Sequence, residues 1–166
     1  LYNIYCLEDA KRIAPYYGVD FTPTAYPEKE LVELSNSILT AVSDERFSEI
    51  AKRVSSALWQ GDLNSLEELS KEYSATKLEV SENLDSGNSI RNENGYYFGS
   101  AFYYEKELYW GVDRIHHLED RLIELGDKKD LTNEPVCVPA LISPSTLKSD
   151  TKVNLYYYPS LNSPYT

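Results

Sequence analysis

The sequence predicts an α/β fold, and three observations predict it. Residues 7–73 carry apolar side chains at spacings of three and four, the period of helices with one buried face. Residues 96–110 change to aromatic, strand-like runs on either side of Glu105-Lys106, a hairpin pattern. Behind Gly111 the helical period returns and runs to Leu125.

Taken in order, Leu7 to Tyr17 places Leu7, Ala10, Ile13 and Ala14 on one face, with Gly18 as a natural stop. Pro15 makes its last turn poor α-helix, so this helix is expected to end early. Val19 to Tyr26, with Pro23 inside and Pro27 after, reads as an extended connector. Glu28 to Val42 aligns Leu31, Leu34, Ile38, Leu39 and Val42 on one stripe, with acids in its first turn. Ser43 is a good N-cap for the next helix, whose expected buried face is Phe47, Ile50, Ala51, Val54, Leu58 and Trp59, and which Gly61 ends. Asn64-Ser65 opens a shorter helix through Leu66, Leu69 and Tyr73. These helices are expected to pack as a small bundle.

Asn83 to Gly95 is rich in Asn, Ser, Gly and Asp and is expected to be a loop. Tyr96 to Tyr104 and Glu107 to Trp110 form the hairpin. In the closing helix Val112, Ile115, Leu118, Leu122 and Leu125 share a face, and Gly126 stops it. Asp113, expected in the first turn, suits the positive end of the helix dipole. Residues 127–152 contain three prolines and read as a linker. Val153 to Tyr158 is a short strand, followed by a Ser-Pro-Tyr turn at Ser163.

Composition narrows the function classes. A chain of 166 residues is about one domain, and 42% hydrophobic with 26% charged residues is ordinary globular material. A net charge of −11 disfavours nucleic acid and anionic membrane surfaces as partners. No apolar run approaches the roughly 20 residues of a membrane-spanning helix. Cys6 and Cys137 lie far apart with no C-x-x-C, as expected of structural thiols in a reducing, cytoplasmic setting. His116 and His117 diverge by about 100° on a helix, which argues against a shared metal. No acidic residues form a convincing carboxylate pair for acid–base work.

Four stretches carry a family resemblance. Leu108-Tyr-Trp-Gly-Val-Asp-Arg-Ile-His-His-Leu-Glu resembles the segment that closes the domain in the 2-hydroxychromene-2-carboxylate isomerase and kappa-class glutathione transferase family. Lys11 to Phe21, ending Tyr-Gly-Val-Asp-Phe, is similar to the family's helix and connector, and Ser56-Ala-Leu-Trp-Gln-Gly-Asp-Leu to a segment of its helical insertion. Val153 to Thr166 resembles its opening strand and Ser-Pro-Tyr turn. The resemblance implies a thioredoxin-like fold of the DsbA/kappa type with an α-helical insertion, incomplete or permuted. Residues 1–126 would hold the insertion, hairpin and last helix, 127–152 the linker, and 153–166 the opening of a second or permuted domain. The opening strand placed last, with no Met in the chain, predicts a piece spanning two tandem repeats.

The same resemblance implies glutathione as cofactor, a small apolar or aromatic second substrate, and allows a homodimer. Ser163 matches the serine that lies by the glutathione sulfur, where a hydroxyl stabilises a thiolate. Asp113 would bind the amino end of the γ-glutamyl arm, with backbone N–H groups of Gly111 and Val112 holding its carboxylate. Arg114 is expected in a salt bridge, and Trp59 and Asp62 in structural roles or in a cavity wall. In Phe98-Gly-Ser-Ala-Phe102, Ser100 replaces the family's cis-proline at the cysteinyl-binding edge. A non-proline cis bond costs about 2.5–4 kcal/mol, so Ser100 is expected trans and that edge reshaped. The implied activity is a glutathione-dependent isomerisation or transfer by thiolate addition to an unsaturated carbonyl. The alternatives are a degenerate, non-catalytic repeat with a scaffolding or assembly role and a DsbA-like oxidoreductase, the last disfavoured without a C-x-x-C.

Overall fold

Pro15 acts as its ring geometry requires. In a computed structural model of the chain, which describes residues 2–96, 99–127 and 135–138 together with Asn154 and Tyr156, helix α1 (Tyr2–Ile13) gives way to a 3₁₀ turn, Ala14–Tyr17. Gly18 ends the turn at φ +64°, and the Val19 N–H donates to Ala14 O at 3.0 Å. The helix starts ahead of Leu7, and Leu7 and Ala14 are buried, as their spacing predicts.

The bundle is α2 (Lys29–Ala41), α3 (Asp44–Gln60) and α4 (Leu63–Ser70). Its core joins Leu31 and Ile38 of α2, Ile50, Val54 and Ala57 of α3, and Leu66 and Leu69 of α4. Ile38, Ile50 and Leu66 lose all solvent contact, and burying each side chain stabilises by about 1.5–3 kcal/mol. Phe47 departs from expectation, being 45% exposed. It stands in the first turn of α3, one turn short of Ile50, where the packed face begins. Helix α4 opens at Leu63 because the Asp62 carboxylate accepts from Ser65 N–H (3.1 Å) and Ser65 Oγ (2.6 Å). Tyr73, beyond α4, packs against the core, and the Arg46 guanidinium lies 5.8 Å from its ring centroid.

The expected loop over 83–95 is instead most of a helix, α5 (Lys77–Glu93). Its start lies upstream of the polar tract. Thr76 Oγ1 accepts from Glu79 N–H (3.3 Å), and Glu79 Oε2 accepts from Thr76 N–H (2.7 Å), a reciprocal capping box. No proline interrupts the helix beyond this cap, and Gly87 costs only about 1 kcal/mol relative to alanine. The helix buries no residue, so it gives no apolar period to read. Ser37 fixes its approach to α2, donating to Ala75 O (2.8 Å) and accepting from Ala75 N–H (3.1 Å), while Asn83 reaches Thr40 at 3.3 Å.

Strands β1 (Ala101–Tyr104) and β2 (Glu107–Trp110) pair antiparallel, from Ala101 opposite Trp110 to Tyr104 opposite Glu107. Glu105 and Lys106 turn the chain with positive φ at both positions, the geometry that matches strand twist in a two-residue hairpin. A second 3₁₀ turn, Val112–Arg114, leads into α6 (Ile115–Leu125), which packs on β2. Arg121 of α6 pairs with Glu107 at 3.2 Å, and Tyr104 bonds to Asp127. The described residues thus form a mixed α/β structure of six α-helices and one two-stranded sheet. None of the described helices is long and apolar enough to cross a membrane.

Within the stretch expected to be a linker, residues 135–138 are fastened to α6. The Glu119 carboxylate accepts from the N–H groups of Val136 (2.8 Å) and Cys137 (2.6 Å). Apart from Asn154 and Tyr156, the strand and turn expected over 153–166, Ser163 included, lie outside the described residues.

Candidate functional site

Two features have the geometry of a site. The first is the turn after β2. Gly111 has φ +81° and ψ 160°, a backbone conformation that side chains rarely allow. A Cβ there would lie 2.7 Å from Asp113 Oδ1, so the glycine also makes room for that carboxylate. The Gly111 N–H donates to Ser100 O at 3.2 Å, extending the hairpin by one bond beyond Ala101 and Trp110. Ser100 has φ +56° and, like every described residue, a trans peptide bond. Ser100, Gly111, Val112 and Asp113 are therefore drawn into one corner, without the cis bond a proline would supply.

Asp113 is not in the first turn of α6. It belongs to the 3₁₀ turn that precedes Ile115, tighter geometry that often opens an α-helix. Its exposed carboxylate is 3.3 Å from Arg114 Nη1. That guanidinium also donates to Trp110 O (3.3 Å) and stands 5.5 Å from the Trp110 ring centroid, so Arg114 has the salt bridge expected of it. Since Gly111 N–H is taken, the corner's donors for an anion are the N–H groups of Val112 and Asp113, which have no partner among the described residues. The Val112 carbonyl accepts from Tyr17 OH at 3.3 Å.

The second feature is an open groove of about 1380 Å³ between the connector that starts at Gly18 and the face of α3. Trp59 forms its aromatic wall. Phe21 meets Trp59 edge-on, with centroids 5.2 Å apart and planes at 65°, and Tyr26 leans on it at 5.7 Å and 58°. Leu31 and Leu58 also line the groove. Trp59 is thus a cavity wall, whereas Asp62 is the α4 cap. Hydrogen bonding to Ser65, by side chain and then by backbone, holds the Asp62 carboxyl below its ordinary value.

Two other positions are informative. The His116 and His117 rings lie 4.0 Å apart, but no group of three or more His, Cys, Asp or Glu side chains suited to a metal occurs among the described residues. Glu119, the buried residue of α6 at 8% exposure, was not singled out by its sequence pattern. The signal was present, because Glu119 lies four residues after Ile115 and three before Leu122, on the apolar face. On β2, hydrogen bonding to Glu107 at 2.5 Å pushes the Tyr109 phenol above its ordinary value.

The fold and these two features define a helical bundle joined by a polar helix to a hairpin–helix unit with a glycine corner. No family model, no curated protein and no solved structure matches the chain.

Proposed function

We propose that the protein is a glutathione-dependent isomerase- or transferase-like protein of the 2-hydroxychromene-2-carboxylate type, built on a thioredoxin-like domain. The reading rests on the resemblance of the closing segment. The observation that supports it is the Tyr17–Val112 hydrogen bond, which ties the Gly111 corner to the residue preceding the aromatic groove. A thiol site and a pocket for an apolar or aromatic substrate must adjoin for a bond to form between their ligands.

The corner fits one end of glutathione. Asp113 offers an exposed carboxylate to the γ-glutamyl ammonium, and the N–H groups of Val112 and Asp113, which have no partner among the described residues, suit its carboxylate. Ser163 would hold the thiol. Bound glutathione would supply a thiolate able to add reversibly to an unsaturated carbonyl. Trp59, Phe21 and Tyr26 would hold the acceptor by its apolar faces and exclude water from it.

Ser100 favours a second reading, a non-catalytic thioredoxin-like repeat with an assembly role. Its carbonyl is bonded to Gly111 N–H across a trans backbone, so the cysteinyl edge differs from that of the family. Calorimetry with millimolar glutathione separates the two. The enzyme reading expects binding that Asp113→Asn weakens about tenfold or more, the cost of losing one charge-assisted contact. Absence of heat from both the wild type and Ser100→Pro would leave the non-catalytic reading.

A further inference from the structure

The aromatic groove is also charged, and the sign is one-sided. Among the described residues, Asp20 on the connector and Glu28 and Glu30 at the start of α2 line it, against a single ammonium, Lys52 of α3. None of these three carboxylates has an ion-pair partner among the described residues. Lys29, which stands between the two glutamates, pairs with Glu33 at 3.4 Å instead. The Trp59 ring, with Phe21 and Tyr26 against it, is half-buried and forms part of the groove wall.

We propose that the groove binds organic cations that carry an aromatic or aliphatic body, the cationic head resting against the rings of Trp59 and Tyr26 within reach of the carboxylates of Asp20, Glu28 and Glu30. Two effects act in the same direction. The face of an aromatic ring is the negative part of its quadrupole and attracts an ammonium group, tryptophan most strongly. Carboxylates along an apolar cleft concentrate cations and repel anions, because field lines are focused by the low-dielectric walls. The chain's net charge of −11 adds to both. A carboxylate-bearing substrate would meet three like charges and one opposite. The inference goes beyond the proposed function and narrows it: the groove would disfavour the carboxylate of a 2-hydroxychromene-2-carboxylate, so the reaction type of that reading is compatible with the groove and that particular substrate is not. It rests on the groove alone, so glutathione can fail to bind at the Gly111 corner while the groove still selects cations.

The test uses three probes of similar size: benzyltrimethylammonium, benzyl alcohol and phenylacetate. The chain has two tryptophans, so Trp110→Phe leaves Trp59 as the sole reporter for fluorescence titration. Calorimetry on the unsubstituted chain ranks the same probes without any substitution. The cation is expected to bind roughly three- to tenfold more tightly than the alcohol at low salt, and phenylacetate most weakly. Glu28→Gln with Glu30→Gln should remove most of that preference and leave the alcohol unchanged. If the double variant fails to fold, 0.5 M salt on the wild type serves as the same test, since screening should compress the ranking. Phenylacetate binding as tightly as the cation, a ranking insensitive to salt, or no binding of any probe would overturn the proposal.

Discussion

Replacing Gly111 by alanine puts a side chain where two separate obstacles can be measured apart. The backbone, at φ +81° and ψ 160°, lies in a region populated almost only by glycine, and holding another residue there costs about 1–3 kcal/mol. The new Cβ would also meet Asp113 Oδ1 at 2.7 Å. That oxygen is the end of an exposed side chain that can swing aside, so the backbone is expected to set most of the cost. Urea unfolding followed by Trp110 fluorescence in a Trp59→Phe background reads the hairpin unit directly. With a slope of about 1–3 kcal/mol per molar urea for a small protein, a loss of about 2 kcal/mol moves the midpoint by roughly 1 M. Adding Asp113→Ala removes the clash and leaves the backbone demand, so the double variant should remain as destabilised as Gly111→Ala. Full recovery in the double variant would show that crowding, not conformation, selects the glycine. An unchanged midpoint for Gly111→Ala would refute both.

Thr76→Ala removes half of the capping box of α5, a helix with no buried side chain to hold it, and should cost about 1 kcal/mol. Far-ultraviolet circular dichroism should report the loss as reduced helicity, and helicity unchanged under mild denaturant would refute the capping argument. Asp62 gives a pH dependence of definite sign. Its folded-state pKa lies below the unfolded one, so its contribution is complete above the ordinary aspartate range and is lost as pH falls through the lowered folded value. Asp62→Asn keeps a good N-cap that does not titrate, so acid unfolding should begin at lower pH in the variant. An identical acid transition would remove Asp62 from the account.

The bundle was legible because α2, α3 and α4 bury aliphatic side chains at helical spacing, and Ile38, Ile50, Val54 and Leu66 lie where that spacing puts them. Helix α5 was not, because its determinant is a box at Thr76 and Glu79 ahead of a polar tract whose composition resembles a loop. At the candidate site, a strand end followed by Gly-x-Asp was enough to single out Gly111 and Asp113. The pairing of Gly111 N–H with the Ser100 carbonyl was hidden, since it depends on hairpin register and on positive φ at Ser100. Trp59 was singled out as a possible cavity wall, but the groove it forms with Phe21 and Tyr26 was hidden. It exists because Phe21 and Tyr26 fold back onto Trp59 from a connector that has no period of its own.

These sources of order divide the chain energetically. The bundle is held by a contiguous apolar core, whereas β1 and β2 bury no side chain and α6 buries only Glu119, a carboxylate. A two-stranded hairpin is marginal in water by itself. What supports this one includes polar bonding: Gly111 to Ser100, Tyr17 to Val112, and Glu119 to the backbone of Val136 and Cys137. Such bonds contribute about 0.5–1.5 kcal/mol each, so the unit belongs to the part of the molecule that opens most easily. Binding sites are drawn from such regions because a ligand can supply the contacts they lack. A ligand at the Gly111 corner would therefore stabilise the hairpin and α6 and leave the bundle almost unaffected. A cation in the Trp59 groove would act on the connector and α3. Among the described residues the Tyr17–Val112 bond links the corner to the residue before the groove.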